Sequence, residues 1–241
     1  MKELNFQDVS GIESEPIHPN QIHLWLMSLS VSVEKQSLLL PLLSDQQKQK
    51  LEKIKDPIKK TSYIAGRAYL QQLLRHYLDL MSENHESTEL EFGEFGKPKL
   101  KHFPSLYFNF SDTCGIGLFA FSTSSQLGVD IESLSRQGRF EQIIKRRFSD
   151  DEQYLLEKDG EAFLKCWTRK EAFGKATGTG LNYPLRDFTL CEDLEINDFI
   201  VPNRQYSGQQ IFIKEQQQNF VAAVVAETKA PLSIKAFRLK V

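Results

Sequence analysis

The chain has 241 residues, 40% of them hydrophobic and 26% charged, and its 30 Lys and Arg against 32 Asp and Glu leave a formal charge of −2. These values exclude a disordered or fibrous polypeptide and, with no basic excess, a general nucleic-acid-binding surface. A chain of this length buries roughly 70–75% of its unfolded surface, so one large domain or two packed halves can hold together without staples. Cys114, Cys166 and Cys191 are odd in number, far apart and without a CxxC or enough nearby His for zinc, which suits a reducing cytosol. The first ten residues carry no targeting signal, and Leu24–Val33 is too short and serine-rich to span a bilayer. A cytoplasmic protein with neither a membrane nor a nucleic-acid partner is expected.

In chain order, residues 1–20 are polar and carry Pro16 and Pro19, a loose lead-in to a first strand at Gln21–Leu29. Asp45–Lys55 is a lysine-rich helical segment. Asp56-Pro57 restarts a helix, with Asp as cap and Pro in the first turn. Leu70, Leu73, Leu74 and Tyr77 recur at helical spacing, so this helix presents one apolar stripe through about Leu80. Asn84–Thr88 reads as a polar loop, Glu89–Phe95 as a strand running into the turn Gly96-Lys97-Pro98, and Leu106–Ser111 and Gly115–Ser122 as strands around Asp112–Cys114. After a serine-rich turn, Leu127–Glu132 is a strand. Three helices follow: one marked by Phe140, Ile143, Ile144 and Phe148, one over Ser149–Lys158, and one over Glu161–Ala176 that ends at Gly178 and Gly180. Alternating segments at Phe188–Leu190, Gln210–Ile213, Phe220–Ala226 and Ser233–Arg238 supply closing strands. The pattern predicts an α+β protein of two similar halves, a pseudo-duplicate in which each half is a small, mostly antiparallel sheet packed with helices. The boundary falls at Gln126, giving an N-terminal half 1–125 and a C-terminal half 126–241.

Chemistry-bearing residues lie mostly in the second half. Gly128-Val129-Asp130-Ile131-Glu132 puts two carboxylates at i and i+2, on one face of a strand, where two hard oxygen ligands suit Mg²⁺; an amphipathic strand with a solvated acidic face fits the same pattern. Glu171 and Lys175 share a helix face and add a third carboxylate and an ammonium, or form an ordinary surface pair. Trp167 and Phe163 read as core. Ser149-Asp150-Asp151-Glu152 matches a capping box. Lys145-Arg146-Arg147 is a solvated face or a docking patch for an acidic partner. Lys97 in its turn can hold a phosphate as a point charge, and Ser111 can donate to a phosphate or cap the neighbouring turn.

Taken together, Phe95-Gly96-Lys97-Pro98, Phe108-Asn109-Phe110-Ser111, Gly128-Val129-Asp130-Ile131-Glu132, Trp167 through Lys175 and Gly178-Thr179-Gly180-Leu181 closely resemble the 4′-phosphopantetheinyl transferase superfamily. The resemblance covers about residues 48–185, and the chain length is that of the large pseudo-dimeric (Sfp) type, which serves peptide and polyketide synthases in secondary-metabolite biosynthesis. It implies an active site between the halves, with Asp130, Glu132 and Glu171 as Mg²⁺ ligands and Lys175 and Lys170 beside the phosphates of coenzyme A. It also implies Lys97 and Ser111 near the 3′-phosphate, Arg67 as a further nucleotide contact, and Glu152 as the glutamate of the R-F-x-x-x-E segment. The family usually reads N-x-S-H-S; here Asp112 and Thr113 stand at the last two positions, and Asp112, which would repel a 3′-phosphate, is left out of the site. The activity implied is transfer of the phosphopantetheine arm of coenzyme A to a serine of an apo acyl or peptidyl carrier protein, releasing 3′,5′-ADP, with Glu171 or Glu152 accepting the serine proton. Arg146 and Arg147 would face an acidic carrier helix. A monomer is implied, because the pseudo-duplicate supplies internally what shorter relatives obtain by oligomerising. The alternative is a non-catalytic relative that binds coenzyme A or carrier proteins, and a Mg²⁺-dependent phosphohydrolase is a further rival.

Overall fold

A computed structural model describes residues 2–81, 87–156, 159–182, 184–187, 195–201 and 204–240. In chain order its elements are β1 (Lys2–Glu3), β2 (Gln7–Val9), β3 (Gln21–Ser28), α1 (Val33–Leu39), α2 (Asp45–Glu52), α3 (Pro57–Leu80), β4 (Leu90–Phe92), β5 (Pro98–Leu100), β6 (Tyr107–Thr113), β7 (Ile116–Ser122) and β8 (Leu127–Ser133). They continue with α4 (Glu141–Arg147), α5 (Asp150–Leu156), α6 (Gly160–Thr177), β9 (Glu195–Val201), β10 (Arg204–Glu215), β11 (Gln218–Ala226) and β12 (Ser233–Leu239).

Two sheets lie face to face, each covered on its outer side by one long helix. The first has the order β2-β12-β3-β7-β6; in the second, β1-β10-β11-β8 form a path to which β9 adds beside β10. Alternation along β3 shows the layering. Leu24 and Leu26 point into the apolar layer between the sheets with Leu118, Val129 and Ile131, while Trp25 and Met27 point outward against Leu70, Leu73, Leu74 and Tyr77 of α3. A strand buried on both faces has no polar side, which is why Gln21–Ser28 reads as a nearly continuous apolar run. The α3 stripe is at most 1% exposed at these four residues, and each contributes roughly 1.5–3 kcal/mol of burial. Asp56 starts α3 by accepting from the amides of Ile58 and Lys59 at 2.8 and 3.1 Å. On the second sheet α6 packs Phe163, Trp167, Phe173 and Ala176 inward, and Trp167 is core, with its ring 5.9 Å from that of Phe163.

The two halves repeat one layout. β3, α3, β6 and β7 correspond to β8, α6, β10 and β11, and in each case the strand before the helix pairs with the last strand, which pairs with the one before it. The fold is thus α+β, with two similar sheet-and-helix halves. The termini cross between them: β12 pairs in parallel with both β2 and β3 in the first sheet, while β1 pairs in parallel with β10 in the second.

Several expectations are corrected. The segment before Gln21 is not only a lead-in but supplies β1 and β2, strands of two and three residues held by backbone pairing. A helix not legible in the pattern, α1, begins at Ser32, whose hydroxyl accepts from Lys35 N at 3.2 Å. The strand expected at Glu89–Phe95 is shortened to β4 because Gly93 opens a turn closed by Gly93 N to Lys97 O at 3.0 Å, and β5 returns beside it. The strand at Gln210–Ile213 extends to the full β10, and β9 joins it unannounced. Phe188–Leu190 and most of Asn84–Thr88 lie outside the described residues. Cys114 carries a free, exposed thiol. Among the described residues no helix is long and apolar enough to cross a membrane.

Candidate active site

β6 and β8 are the edge strands of the two sheets, and both carry polar residues at alternate positions, which places those side chains on one face of each strand. The two faces meet. Asn109 Oδ1 accepts from Val129 N at 2.9 Å, Ser111 Oγ donates to Asp130 Oδ1 at 2.7 Å, and Thr113 Oγ1 donates to Glu132 Oε2 at 3.4 Å. A side-chain ladder therefore joins the two sheets where backbone pairing stops.

The third wall is α6, and it comes unusually close. A Cβ on Gly128 would stand 2.1 Å from Ala172 O and 2.4 Å from Ala176 N, so only a hydrogen fits between β8 and the helix. This approach carries Glu171 and Lys175, one turn apart, up to the ladder. Lys175 Nζ donates to Asp130 Oδ1 at 2.7 Å, Ser111 Oγ at 3.0 Å and Val129 O at 3.1 Å. The helix ends immediately afterwards at Gly178, whose φ of +80° gives the left-handed cap that favours glycine.

Three carboxylates in one corner repel one another, and burial adds to the cost of their charge. Burial first, then the charge of Asp130, pushes the Glu132 carboxyl up to about 7, even with Arg136 forming an ion pair to it. Burial and the same neighbour also raise Glu171, against the opposing charges of Lys175, Arg147 and Arg136. Asp130 Oδ2 is buried with no hydrogen-bond partner. The corner thus holds surplus negative charge and an orphaned hard oxygen acceptor, the condition that a divalent cation relieves. The side chains do not form a ready-made cluster: among the described residues no three His, Cys, Asp or Glu converge on one point. Two cations stand on the acidic groups instead, Lys175 on Asp130 and Arg136 on Glu132.

Beside this corner opens a cavity of about 390 Å³, whose lining includes Arg67, Lys97, Ser111, Asp112, Gly174 and Lys175. Arg67 reaches it from α3, with its guanidinium 5.3 Å from the Tyr63 ring and 5.7 Å from the Phe110 ring, so its orientation is held by two aromatic faces. Cations on one side and carboxylates at one end suit a phosphorylated ligand bridged to a metal.

The family model of the 4′-phosphopantetheinyl transferase superfamily matches residues 126–225, the stretch that carries β8, α6 and the acidic corner. A putative 4′-phosphopantetheinyl transferase of Synechocystis is 32% identical over 160 residues, which cover 64% of this chain and 64% of that one. Over residues 126–225 the chain is thus similar to the 4′-phosphopantetheinyl transferase superfamily. HetI of Nostoc, a member of the same superfamily, is 29% identical over 170 residues, covering 67% of this chain and 70% of its own, and Sfp of Bacillus subtilis is 34% identical over 112 residues, covering 44% and 49%. Apart from HetI, these matches span less than two thirds of the relatives' own length.

Of the residues that the superfamily motifs single out, Ser111, Asp130 and Lys175 are hydrogen-bonded together, Glu132 and Glu171 lie within electrostatic reach of Asp130, and Arg67 and Lys97 line the cavity beside them. Lys170 and Glu152 do not join them. Lys170 Nζ lies 2.6 Å from Glu152 Oε2, donates to Leu185 O at 2.5 Å and sits 4.9 Å from the Phe148 ring, and both side chains are 0% exposed. In this structure Lys170 and Glu152 form a buried ion pair that ties α5 to α6. Glu152 also completes the capping box, accepting from Ser149 N at 2.9 Å while its own amide donates to Ser149 Oγ at 3.3 Å. Asp112, on the face of β6 opposite Ser111, is exposed at the mouth of the cavity within electrostatic reach of Arg67 and Lys175. The sequence does not single out Arg136 as the counter-ion of Glu132; an arginine four residues on is a cue only inside a helix, and Arg136 follows a strand.

Proposed function

We propose that this chain transfers the 4′-phosphopantetheine arm of coenzyme A to a serine of an apo acyl or peptidyl carrier protein, in a Mg²⁺-dependent reaction that releases 3′,5′-ADP. The observation that carries the reading is the Lys175–Ser111–Asp130 corner, with the orphaned Asp130 Oδ2 and the raised carboxyls of Glu132 and Glu171 beside a cation-lined cavity. The serine oxygen of the carrier forms a new bond to the β-phosphorus of coenzyme A, the bridging P–O bond of the pyrophosphate breaks, and the leaving oxygen departs on 3′,5′-ADP. Asp130, Glu132 and Glu171 would hold Mg²⁺, which would supply charge neutralisation at the pyrophosphate. Lys175 holds the leaving oxygen, and Arg67 binds the nucleotide phosphates. Glu171 or Glu152, directly or through a water, accepts the serine proton. The remaining work is positioning and charge balance.

The carrier protein docks beside the basic end of α4. Lys145 and Arg146 are exposed there, and α5 next to them exposes Tyr154 and Leu155, an apolar pair for a helix that offers acidic residues at its rim. Both walls of the cavity come from one chain, so the reaction needs no second subunit.

The test is intact-mass analysis of a panel of apo carrier proteins incubated with the protein, coenzyme A and Mg²⁺, with a chelator control. Addition of one arm, lost with the chelator, supports the transferase. Coenzyme A binding without any addition favours the non-catalytic binding relative, and phosphate release without a carrier favours a phosphohydrolase.

A further inference from the structure

The geometry points to Lys97 as a positioning residue: its ammonium pins the last turn of α6 to the start of β8, and through that joint sets the distance between Lys175 and Asp130. This rests on the transferase reading above but assigns Lys97 a task other than meeting a phosphate.

Lys97 enters from the tip of the β4–β5 hairpin. Its Nζ donates to Gln126 Oε1 at 2.8 Å, Leu127 O at 3.0 Å and Ala176 O at 3.1 Å. An ammonium has three N–H donors and no acceptor, so these three oxygens use its full capacity. They belong to two elements that no backbone pairing joins. Leu127 opens β8 and Gln126 immediately precedes it, and Ala176 is in the last turn of α6, where carbonyls lack partners within the helix and a cation is favoured by the helix dipole. The stem of Lys97 passes over the helix cap, with its Cδ 3.5 Å from where a Cβ on Gly178 would stand.

Lys175, one residue before Ala176, makes the matching contacts two to three residues along β8, at Val129 O and Asp130 Oδ1. Two lysines thus bracket Gly128, the point of closest approach between strand and helix. One faces the reacting groups and the other does not. Removing the Lys97 ammonium leaves the Leu127 and Ala176 carbonyls short of a donor and frees the end of α6 to move, which carries Lys175 away from Ser111 and Asp130.

The test compares the wild-type protein with Lys97→Met and, as a milder change that deletes one of the three acceptors, Gln126→Ala. The expected result for Lys97→Met is a fall in kcat for carrier modification of about 30-fold or more, with KM for coenzyme A and the preference for coenzyme A over dephospho-coenzyme A held within about twofold. Gln126→Ala shifts kcat in the same direction by less, so the split between kcat and KM is readable even if Lys97→Met folds poorly. In both variants amide hydrogen exchange over residues 174–178 speeds up. A tenfold or larger rise in KM with kcat unchanged, or loss of the preference for the 3′-phosphorylated form, would assign Lys97 to the phosphate and overturn the inference. If the wild-type protein modifies no carrier, the transferase reading fails by itself, and unchanged exchange over 174–178 in the variants then overturns the Lys97 joint on its own.

Discussion

Gly128→Ala tests how far the corner depends on the approach of α6 to β8. The added methyl would sit 2.1 Å from the Ala172 carbonyl oxygen and 2.4 Å from the Ala176 amide nitrogen, both backbone atoms, whereas ordinary contact begins at 3.4 Å. Backbone does not swing aside as a side chain does, so the helix must retreat by about 1 Å along the stretch that carries Glu171 and Lys175. Overpacking of this kind costs about 1–3 kcal/mol, which lowers Tm by about 5 °C in a chain of this size. A displacement of 1 Å at reacting groups costs about 100-fold in rate, so transfer suffers far more than stability. Differential scanning calorimetry and the intact-mass transfer assay read the two effects. Gly160→Ala is the control, since a Cβ at that helix start meets nothing within 4 Å. If Gly128→Ala retains wild-type Tm and rate, the close approach does not govern the site and the reasoning fails.

Other perturbations separate catalysis from folding. Asp130→Ala and Glu171→Ala are each expected to abolish transfer while thermal unfolding stays within a few degrees of wild type; retained transfer in either would remove that carboxylate from the mechanism. Glu152→Ala removes the carboxylate paired with the fully buried Lys170 ammonium and deletes half of a capping box, so a loss of about 3–5 kcal/mol in urea unfolding is expected; an unchanged midpoint would argue against the buried pair. Acid is expected to weaken the first half. Burial, helped by the charges of His18 and His76, lowers His23 to about 4, with its ring between the Tyr77 hydroxyl and Gln21 Oε1. The unfolded chain takes up this proton near 6.5 and the folded one only near 4, so stability falls as pH drops through that window, by about 3 kcal/mol at its lower end. His23→Gln, which does not titrate, should flatten the slope of unfolding free energy between pH 6.5 and 4, and an unchanged slope would assign it to other groups. Arg146→Glu is expected to weaken carrier binding and its salt dependence while leaving coenzyme A affinity alone, as isothermal titration at two ionic strengths would show.

The elements that sequence reading captured are those whose cause is local. The cap at Asp56 and the stripe through Leu80 both lie within α3, and the capping box of Ser149 and Glu152 spans four residues. The D-x-E of β8 is legible for the same reason, since a strand's alternation puts both carboxylates on one face. What escaped has remote partners. β1 and β2 are too short to show a period and exist because β10 and β12 pass alongside them. The three acceptors of Lys97 include two backbone carbonyls, which leave no mark in residue identity. Lys170 is a different case, because helical arithmetic already separates it from the site. Five residues along a helix turn a side chain by about 140°, so Lys170 and Lys175 leave α6 on different flanks, and Glu152 meets Lys170 on its own flank.

The crossing of the termini sets the order in which this chain can complete its fold during synthesis. β12, the strand between β2 and β3, comes from residues 233–239, more than two hundred positions after the Gln21 with which Ser233 is in register. Until residues 233–239 have left the ribosome, β3 has an open edge, with backbone donors and acceptors lacking partners and Trp25 without the Phe237 ring that stacks on it at 4.6 Å. The first half therefore waits for the second, and contacts this far apart in sequence make folding slow. In the interval the nascent protein presents an unpaired hydrophobic strand, the feature that recruits chaperones and seeds aggregation.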